Sequence, residues 1–241
     1  MAFVGTEWEF RARFWTIWLS YWIGFGLYAV DHKPLALRVV AWLAPTATDA
    51  QAIHWVKCIF AAGTVLVVIA AGIRSWAEAY LHSSIVHDAA LHGEQLVADG
   101  PYRHVRNPLY LGNMFLAAGV GLLATVPGFF VIVIGNFLIV YRLITREEVT
   151  LLASQGESYR KYLEAVPRLI PSLRARVPAS GARPDWADGI TGELFMWSAA
   201  AAMAVYSATL HFKLFWIVFG SGILLYFVQS YVRSRRKKFA A

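Results

Sequence analysis

Residues 100–112 read GPYRHVRNPLYLG, and an apolar segment follows them directly. Glycine and proline frame two arginines, a histidine, an asparagine and two tyrosines in this stretch. Gly-Pro pairs mark turns, so the sequence predicts a turn rich in hydrogen-bond donors at the edge of an apolar helix. Such a turn indicates an anion or cofactor site at a membrane boundary.

The composition places the chain among membrane proteins. Of its 241 residues, 58% are hydrophobic and 15% are charged, whereas soluble domains carry roughly 25% charged residues. The single cysteine, Cys58, excludes an internal disulfide, and its apolar neighbours predict a buried, inert thiol. The net charge of +7 does not indicate nucleic-acid binding, because the positions of the basic residues explain it better.

Apolar runs predict an all-α, polytopic membrane protein with about six transmembrane helices arranged in hairpins. The predicted spans are 14–30, 52–73, 109–126, 127–144, 192–210 and 213–232. The Pro127-Gly128 pair joins the third and fourth spans in a tight turn. Residues 142–163 are predicted to continue the fourth span as a cytosolic, cofactor-binding helical segment, which ends before Pro167.

Basic residues set the predicted orientation. With both termini inside, seventeen Lys and Arg residues face the cytoplasm and three face outward. The positive-inside rule therefore places both termini and both polar clusters on the cytoplasmic side. The basic tail 233–238 then anchors the last helix at the headgroups, and the size of the chain suggests a bacterial inner membrane.

The sequence divides into three predicted parts. Residues 1–51 form an N-terminal span with an external loop, 52–175 form the membrane core, and 176–241 form a linker with a C-terminal hairpin and the basic tail. The linker is indicated by the Ser-Gly-Ala-Arg-Pro run at 180–184.

A second polar cluster, RLITREE at 142–148, lies at the end of the fourth span. On a helix Arg142 and Arg146 stack one turn apart, while Glu147 and Glu148 point about 100° apart. Carboxylates at a membrane edge are costly unless they are solvated or paired. Two interpretations stay open here: a charge-paired helix end in the headgroup region, or a glutamate that contacts a cationic or hydroxyl-bearing ligand.

The remaining side chains indicate little further chemistry. His82, His87 and His92 recur every five residues, which does not stack them on a helix face, so no metal site is predicted. Trp76 and Tyr80 lie one helical turn apart and fit either an interfacial aromatic belt or a lipid-facing cleft that binds substrate.

Both clusters resemble the isoprenylcysteine carboxyl methyltransferase family of integral-membrane enzymes. Residues 100–112 are similar to its Gly-Pro-Tyr-Arg-x-x-Arg-x-Pro-x-Tyr-x-Gly signature. Its Arg-x-x-x-x-Glu-Glu pattern is met by Arg142, Glu147 and Glu148, and its Tyr-x-x-Tyr-x-x-x-Val-Pro-Arg-Leu-Ile-Pro pattern by residues 159–171. The resemblance covers roughly 63–171, and the two motifs flank one hairpin.

The resemblance implies S-adenosylmethionine as the methyl donor, held between the two motifs. One wall of that site would be formed by Tyr102, His104, Arg106, Asn107, Pro108, Tyr110, Leu111 and Gly112. Glu147 and Glu148 would form the other wall and act in catalysis together with Arg142, which would orient an anionic acceptor. Arg142, Arg146, Trp76 and Tyr80 would contact the acceptor. At position 107 the family usually has histidine, and asparagine keeps a donor and an acceptor but carries no charge.

The implied acceptor is a lipid or prenylated small molecule from the bilayer, with the carboxylate of an isoprenyl-cysteine compound favoured. Three alternatives remain open from the sequence. The same donor site could serve a phospholipid amine or a small thiol, a membrane sterol reductase has a similar helix ending, and a non-catalytic scaffold could keep the fold.

Overall fold

The computed structural model describes residues 4–91 and 98–240, with the backbone alone at 82–91 and 233–240. Helices joined by turns make up the described part of the chain, which confirms the all-α membrane class. Its nine α-helices are α1 (Glu7–Arg11), α2 (Arg13–Gly26), α3 (Leu35–Leu43), α4 (Asp49–Leu91), α5 (Pro108–Gly121), α6 (Val126–Ala165), α7 (Trp186–Gly192), α8 (Leu194–Thr209) and α9 (Phe212–Ala240).

All six predicted apolar segments are helical, but they differ in length. Within the described residues, three helical segments are long and apolar enough to cross a membrane: Asp49–Leu81, Val126–Ala165 and Phe212–Val232. Helices α2 and α5 have 14 residues each and α8 has 16. At about 1.5 Å per residue these three fall short of the roughly 30 Å hydrocarbon core.

Helix α6 unites the fourth predicted span and the polar helix that was predicted to follow it. The side chain of Thr125 accepts a hydrogen bond from the Gly128 amide at 3.2 Å and caps the first turn, and Pro127 suits that turn because it needs no amide hydrogen there. The helix then runs to Ala165, with one interruption at Gly156, where φ is +58°. Only glycine adopts that backbone without strain.

Helix α4 lies at the centre of the bundle and packs against α5 and α8. Small residues allow the close approach that holds membrane helices together. A Cβ atom on Gly63 of α4 would lie 2.9 Å from the carbonyl oxygen of Gly119 on α5. On the other side, Ala199, Ala200 and Ala202 of α8 are buried in the same core.

Three short helices were not predicted: α1, α3 and α7. None forms an apolar run of membrane-spanning length, so hydropathy alone does not reveal them. The prediction of a buried Cys58 is wrong, because its side chain is exposed on the outer face of α4, one turn from His54. Apolar neighbours in sequence indicated burial, but on a bundle helix they also face the surrounding lipid. The histidines 82, 87 and 92 lie outside the described side chains.

Candidate functional site

Residues 100–112 fold into a turn that leads into α5. Gly100, with φ +57°, begins a 3₁₀ turn that ends at Arg103. Pro108 then occupies the first turn of α5, where a missing amide hydrogen has no cost. This arrangement points the backbone and side chains of 102–107 toward the end of α6.

A series of hydrogen bonds fixes the turn to the last turn of α6 and to the segment that follows it. The Tyr162 hydroxyl donates to the Tyr102 carbonyl at 2.8 Å, and the Arg106 amide donates to the Pro167 carbonyl at 2.9 Å. His104 is paired twice with Ser172: its Nδ1 donates to the Ser172 carbonyl at 2.8 Å, and the Ser172 amide donates to the His104 carbonyl at 2.9 Å. The two motifs that the sequence singled out therefore form one structural unit.

Glu148 is the buried centre of this unit. Its side chain is 8% exposed and accepts hydrogen bonds from two arginines: Arg106 Nη1 at 2.9 Å, and Arg168 through Nη2 at 2.5 Å and Nε at 3.2 Å. Burial alone would lower the pKa of Arg168, but the Glu148 carboxylate holds it above its ordinary value. Both oxygens of Glu148 are therefore already occupied by guanidinium groups.

Glu147 has a different environment from its neighbour. Its carboxylate is half-buried and accepts one hydrogen bond from the Tyr110 hydroxyl, at 2.7 Å, within the described part of the chain. Tyr110 lies one turn into α5, so this bond links the first turn of α5 to α6. One carboxylate oxygen of Glu147 remains available to a ligand.

Asn107 precedes α5 but does not cap it through its side chain. Its Nδ2 donates instead to the carbonyl of Arg168 at 3.1 Å. Asparagine thus supplies a structural hydrogen bond at the position where the resembling family usually has histidine.

Arg142 and Arg146 contact the N-terminal segment. Arg142 donates to both oxygens of Glu9, at 3.1 and 2.9 Å, and Arg146 Nη1 donates to the Gly5 carbonyl at 3.2 Å. The acceptor contacts expected of these arginines therefore stay a prediction, and any anionic group that reached Arg142 would meet Glu9 there.

Trp76 and Tyr80 line a cavity of about 190 Å³ together with His104, Arg103 and Asp99. The rings of Trp76 and His104 lie 6.2 Å apart. Glu147 and Tyr110 are not in its lining. The structure thus brings the two aromatic residues to the 100–104 turn, and their contact with an acceptor stays a prediction.

Gly112 and Leu111 occupy the first turns of α5. A Cβ atom on Gly112 would lie 2.5 Å from Cγ of Arg74, so only glycine lets that arginine pass along α5. Arg74 uses this path to reach Glu193, with which it forms a buried ion pair. Leu111 is half-buried beside it.

Sequence reasoning missed several of these partners. Arg168 belongs to the Val-Pro-Arg-Leu-Ile-Pro motif at 166–171, but nothing in that motif indicated its ion pair with Glu148. Glu9, Arg74 and Glu193 had no such signal, because their partners lie 133 and 119 residues away in the chain.

The side chains present suit an S-adenosylmethionine molecule. A donor of this kind carries hydroxyl and ammonium groups that need an acceptor, and a carboxylate that needs a donor. Glu147 offers a half-buried carboxylate oxygen. Nε of Arg106 is buried and has no hydrogen-bond partner among the described residues, and a buried donor of this kind is costly unless a ligand or water satisfies it.

Fold and site together define a helical membrane protein whose polar site is built from one turn and the end of the following hairpin. Residues 58–157 match the family model described as phospholipid methyltransferase. This is an integral-membrane methyltransferase family related to the isoprenylcysteine carboxyl methyltransferases, so the resemblance is confirmed at the level of the membrane methyltransferase. No curated protein and no solved structure matches the chain.

The matched segment contains residues 100–112 and the cluster from Arg142 to Glu148. It indicates a methyltransferase that acts on a lipid-like substrate, and members of the family use S-adenosylmethionine as methyl donor. Glu9, Arg168 and Glu193 lie outside the matched residues.

Proposed function

We propose that the protein transfers a methyl group from S-adenosylmethionine to the headgroup of a lipid-like acceptor in the bilayer. The observation that carries this proposal is the contact between the two motifs: Tyr110 with Glu147 at 2.7 Å and Arg106 with Glu148 at 2.9 Å. The site is proposed to face the cytoplasm of a bacterial cell, because the basic residues are concentrated on that side of the predicted topology.

The residues of this chain divide the work of donor binding. Glu147 would accept from a hydroxyl or ammonium group of the donor through the second lone pair of Oε1, which already accepts from Tyr110, so that Oε2 stays open to the acceptor. Nε of Arg106 would donate to the carboxylate of the donor. Glu148 would not contact the donor, because Arg106 and Arg168 already occupy it. Its role would be to hold Arg106 in place, and a fixed site of this kind lowers the entropic cost of aligning two reactants.

The contacts of the arginines favour an amine-bearing acceptor. Arg106 and Arg168 bind Glu148, and Arg142 binds Glu9. A carboxylate acceptor needs a cationic partner, and each of these guanidinium groups already has an internal carboxylate. An amine acceptor instead needs a group that takes up its proton. Glu147 suits this role, because only one of its two carboxylate oxygens accepts a hydrogen bond from a described residue.

The chemistry requires positioning and one proton transfer. When bound, S-adenosylmethionine supplies a methyl group on a positively charged sulfur, and that sulfur keeps the bonding electrons as the acceptor nitrogen forms its bond to carbon. Glu147 would remove the proton from the protonated amine, because only the neutral amine has an electron pair to donate. Tyr110 would hold the carboxylate of Glu147 toward the acceptor through its hydrogen bond.

A second candidate is methylation of a carboxylate on an isoprenyl-cysteine compound. It is supported by the relationship of the matched family to the isoprenylcysteine carboxyl methyltransferases and by Arg142, five residues before Glu147 on the same helix. This reaction would need no general base, since a carboxylate is ionised at pH 7. It would require Arg142 to leave Glu9.

Product stability separates the two reactions. Purified protein would be given S-adenosylmethionine with a labelled methyl group and either phosphatidylethanolamine or N-acetyl-farnesylcysteine in mixed micelles. We expect label in the phospholipid that withstands alkali, as an N-methyl group does. Label released by alkali as methanol would identify a methyl ester and support the second candidate, and transfer to neither lipid would contradict the proposed function.

A further inference from the structure

None of the residues of the N-terminal helix α1 is buried, and polar contacts join this helix and the residues before it to α6. Thr6 and Glu9 form a reciprocal cap at its first turn. The Gly5 amide donates to the Arg142 carbonyl at 3.1 Å, and Arg146 donates to the Gly5 carbonyl at 3.2 Å. A Cβ atom on Gly5 would lie 2.8 Å from the carbonyl oxygen of Arg142, so the close approach of the two backbones depends on glycine.

The strongest of these contacts is the bidentate pair of Glu9 and Arg142. The two hydrogen bonds measure 3.1 and 2.9 Å, and the side chains are 28% and 30% exposed. The guanidinium of Arg142 and the amide of Thr6 lower the pKa of Glu9 to about 2. Glu9 is therefore a carboxylate at neutral pH, and it presents to Arg142 the same two oxygens that a carboxylate substrate would present.

This pair lies beside the proposed site. Arg142 precedes Glu147 by five residues on α6, which is about 7.5 Å along the helix axis. Arg13, one turn after Glu9, is close enough to Glu147 and Tyr110 to act on both electrostatically. The N-terminal segment thus contacts the part of α6 that immediately precedes Glu147, through Arg142 and Arg146.

A cavity of about 160 Å³ lies beside the pair, between α1, α2 and α6. Its lining includes Glu9 and Arg142 together with Trp8, Thr16, Leu19, Ile139 and Leu143. Apolar walls with one ion pair suit the alkyl part of a lipid whose headgroup lies at the polar end.

We propose that Glu9 is a specificity-determining residue that excludes carboxylate acceptors by occupying Arg142 and leaves the site to amine headgroups. This inference rests on the proposed function and goes beyond it, since Glu9 lies outside the matched residues 58–157. A carboxylate acceptor would have to displace the two hydrogen bonds between Arg142 and Glu9, or else lie against the negative charge of Glu9. Either cost lowers its affinity relative to that of an amine acceptor. An ammonium group meets Glu9 as a favourable neighbour.

The test compares two acceptors in three variants. The kcat/KM values for N-acetyl-farnesylcysteine and for phosphatidylethanolamine would be measured in the wild type, Glu9→Gln and Glu9→Asp, with Glu7→Gln as the matched control. Glu7 lies on the same helix and pairs with exposed Arg11. We expect the carboxylate-to-amine ratio to rise tenfold or more in Glu9→Gln, to return toward the wild-type value in Glu9→Asp, and to stay unchanged in Glu7→Gln.

Two results would overturn the inference: a wild type that prefers the carboxylate lipid, or a Glu9→Gln variant in which both kcat/KM values fall together. If the wild type methylates neither lipid, the proposed function fails, and equilibrium binding of N-acetyl-farnesylcysteine then decides the role of Glu9. Binding at least tenfold tighter to Glu9→Gln than to the wild type and Glu7→Gln would uphold it, and equal affinity would refute it.

Discussion

Arg74 on α4 and Glu193 at the start of α8 form a bidentate ion pair, with Nε–Oε2 and Nη2–Oε1 distances of 2.8 and 2.7 Å. Their side chains are 19% and 6% exposed. The remaining nitrogen of Arg74 donates to the Leu109 carbonyl at 3.2 Å and to Asn113 Oδ1 at 3.1 Å. The C-terminal hairpin, which lies outside the matched family segment, is thereby attached to the helix that carries Tyr110.

Removal of the charge on Glu193 should destabilise the protein. In Glu193→Gln the guanidinium of Arg74 stays buried without its counter-charge, which costs about 3 kcal/mol, and the Tm in detergent should fall. Asp31→Asn is the control, because it breaks an ion pair whose arginine, Arg38, is about half exposed, and its Tm should fall far less than that of Glu193→Gln. Equal losses of Tm in the two variants would show that the buried ion pair stabilises the protein no more than the exposed one.

The two arginines on Glu148 should differ in their contribution to stability. Arg106 is 11% exposed and Arg168 is 33% exposed, so water replaces the second more readily than the first. Arg106→Met should therefore lower the free energy of unfolding by about 3 kcal/mol, and Arg168→Met by about 1 kcal/mol. The Tm should accordingly fall further in Arg106→Met. A thermal scan of both purified variants checks this order, and the reverse order would count against Arg106 as the main partner of Glu148.

Loss of the Tyr110 hydroxyl should weaken the proposed donor site without unfolding the protein. Tyr110→Phe removes one hydrogen bond to a carboxylate, which contributes about 1.5–3 kcal/mol, so the Kd for S-adenosylhomocysteine should rise roughly ten- to a hundredfold. Tyr231→Phe provides a control on α9, at an exposed position. Unchanged affinity in Tyr110→Phe would mean that Glu147 is held by other contacts.

The attachment of α1 should depend on pH in a defined direction. The pKa of Glu9 falls from its ordinary value of 4.5 to about 2 on folding, because Arg142 and the Thr6 amide bind the carboxylate. The stabilising effect of Glu9 is therefore complete above pH 4.5 and disappears as the pH falls through 2. The Tm difference between the wild type and Glu9→Gln should be constant from pH 5 to 8 and shrink steadily below pH 4.5. A difference that grows on acidification would contradict the ion pair with Arg142.

The apolar helices and the 100–112 turn could be predicted from sequence because each depends on local pattern. Runs of apolar residues define the long helices, and the turn chemistry of Gly100, Pro101 and Pro108 fixes the 100–112 turn. The proximity of the two motifs was implied by the family resemblance, since both flank one hairpin. The lengths of α2 and α5 were overestimated, since apolar residues continue past the last helical turn into the connections.

The assignment of individual charges could not be made in the same way. Glu147 and Glu148 are neighbours in sequence, yet the roughly 100° step of the helix turns one toward two arginines and the other toward Tyr110. The contact of Arg142 with an anionic acceptor stays a prediction, and its ion pair with Glu9, 133 residues away in the chain, could not be foreseen. Long-range ion pairs of this kind leave no periodic signal in a single sequence.

Calorimetric titration of S-adenosylhomocysteine into detergent-purified protein decides whether Glu147 forms part of a donor site. Glu147→Ala would be compared with Glu157→Ala, which removes an exposed carboxylate from the same helix. We expect micromolar binding to the wild type and to Glu157→Ala, and affinity at least tenfold weaker in Glu147→Ala. Equal binding to all three proteins, or no binding to a wild type shown to be folded, would contradict a donor site at Glu147.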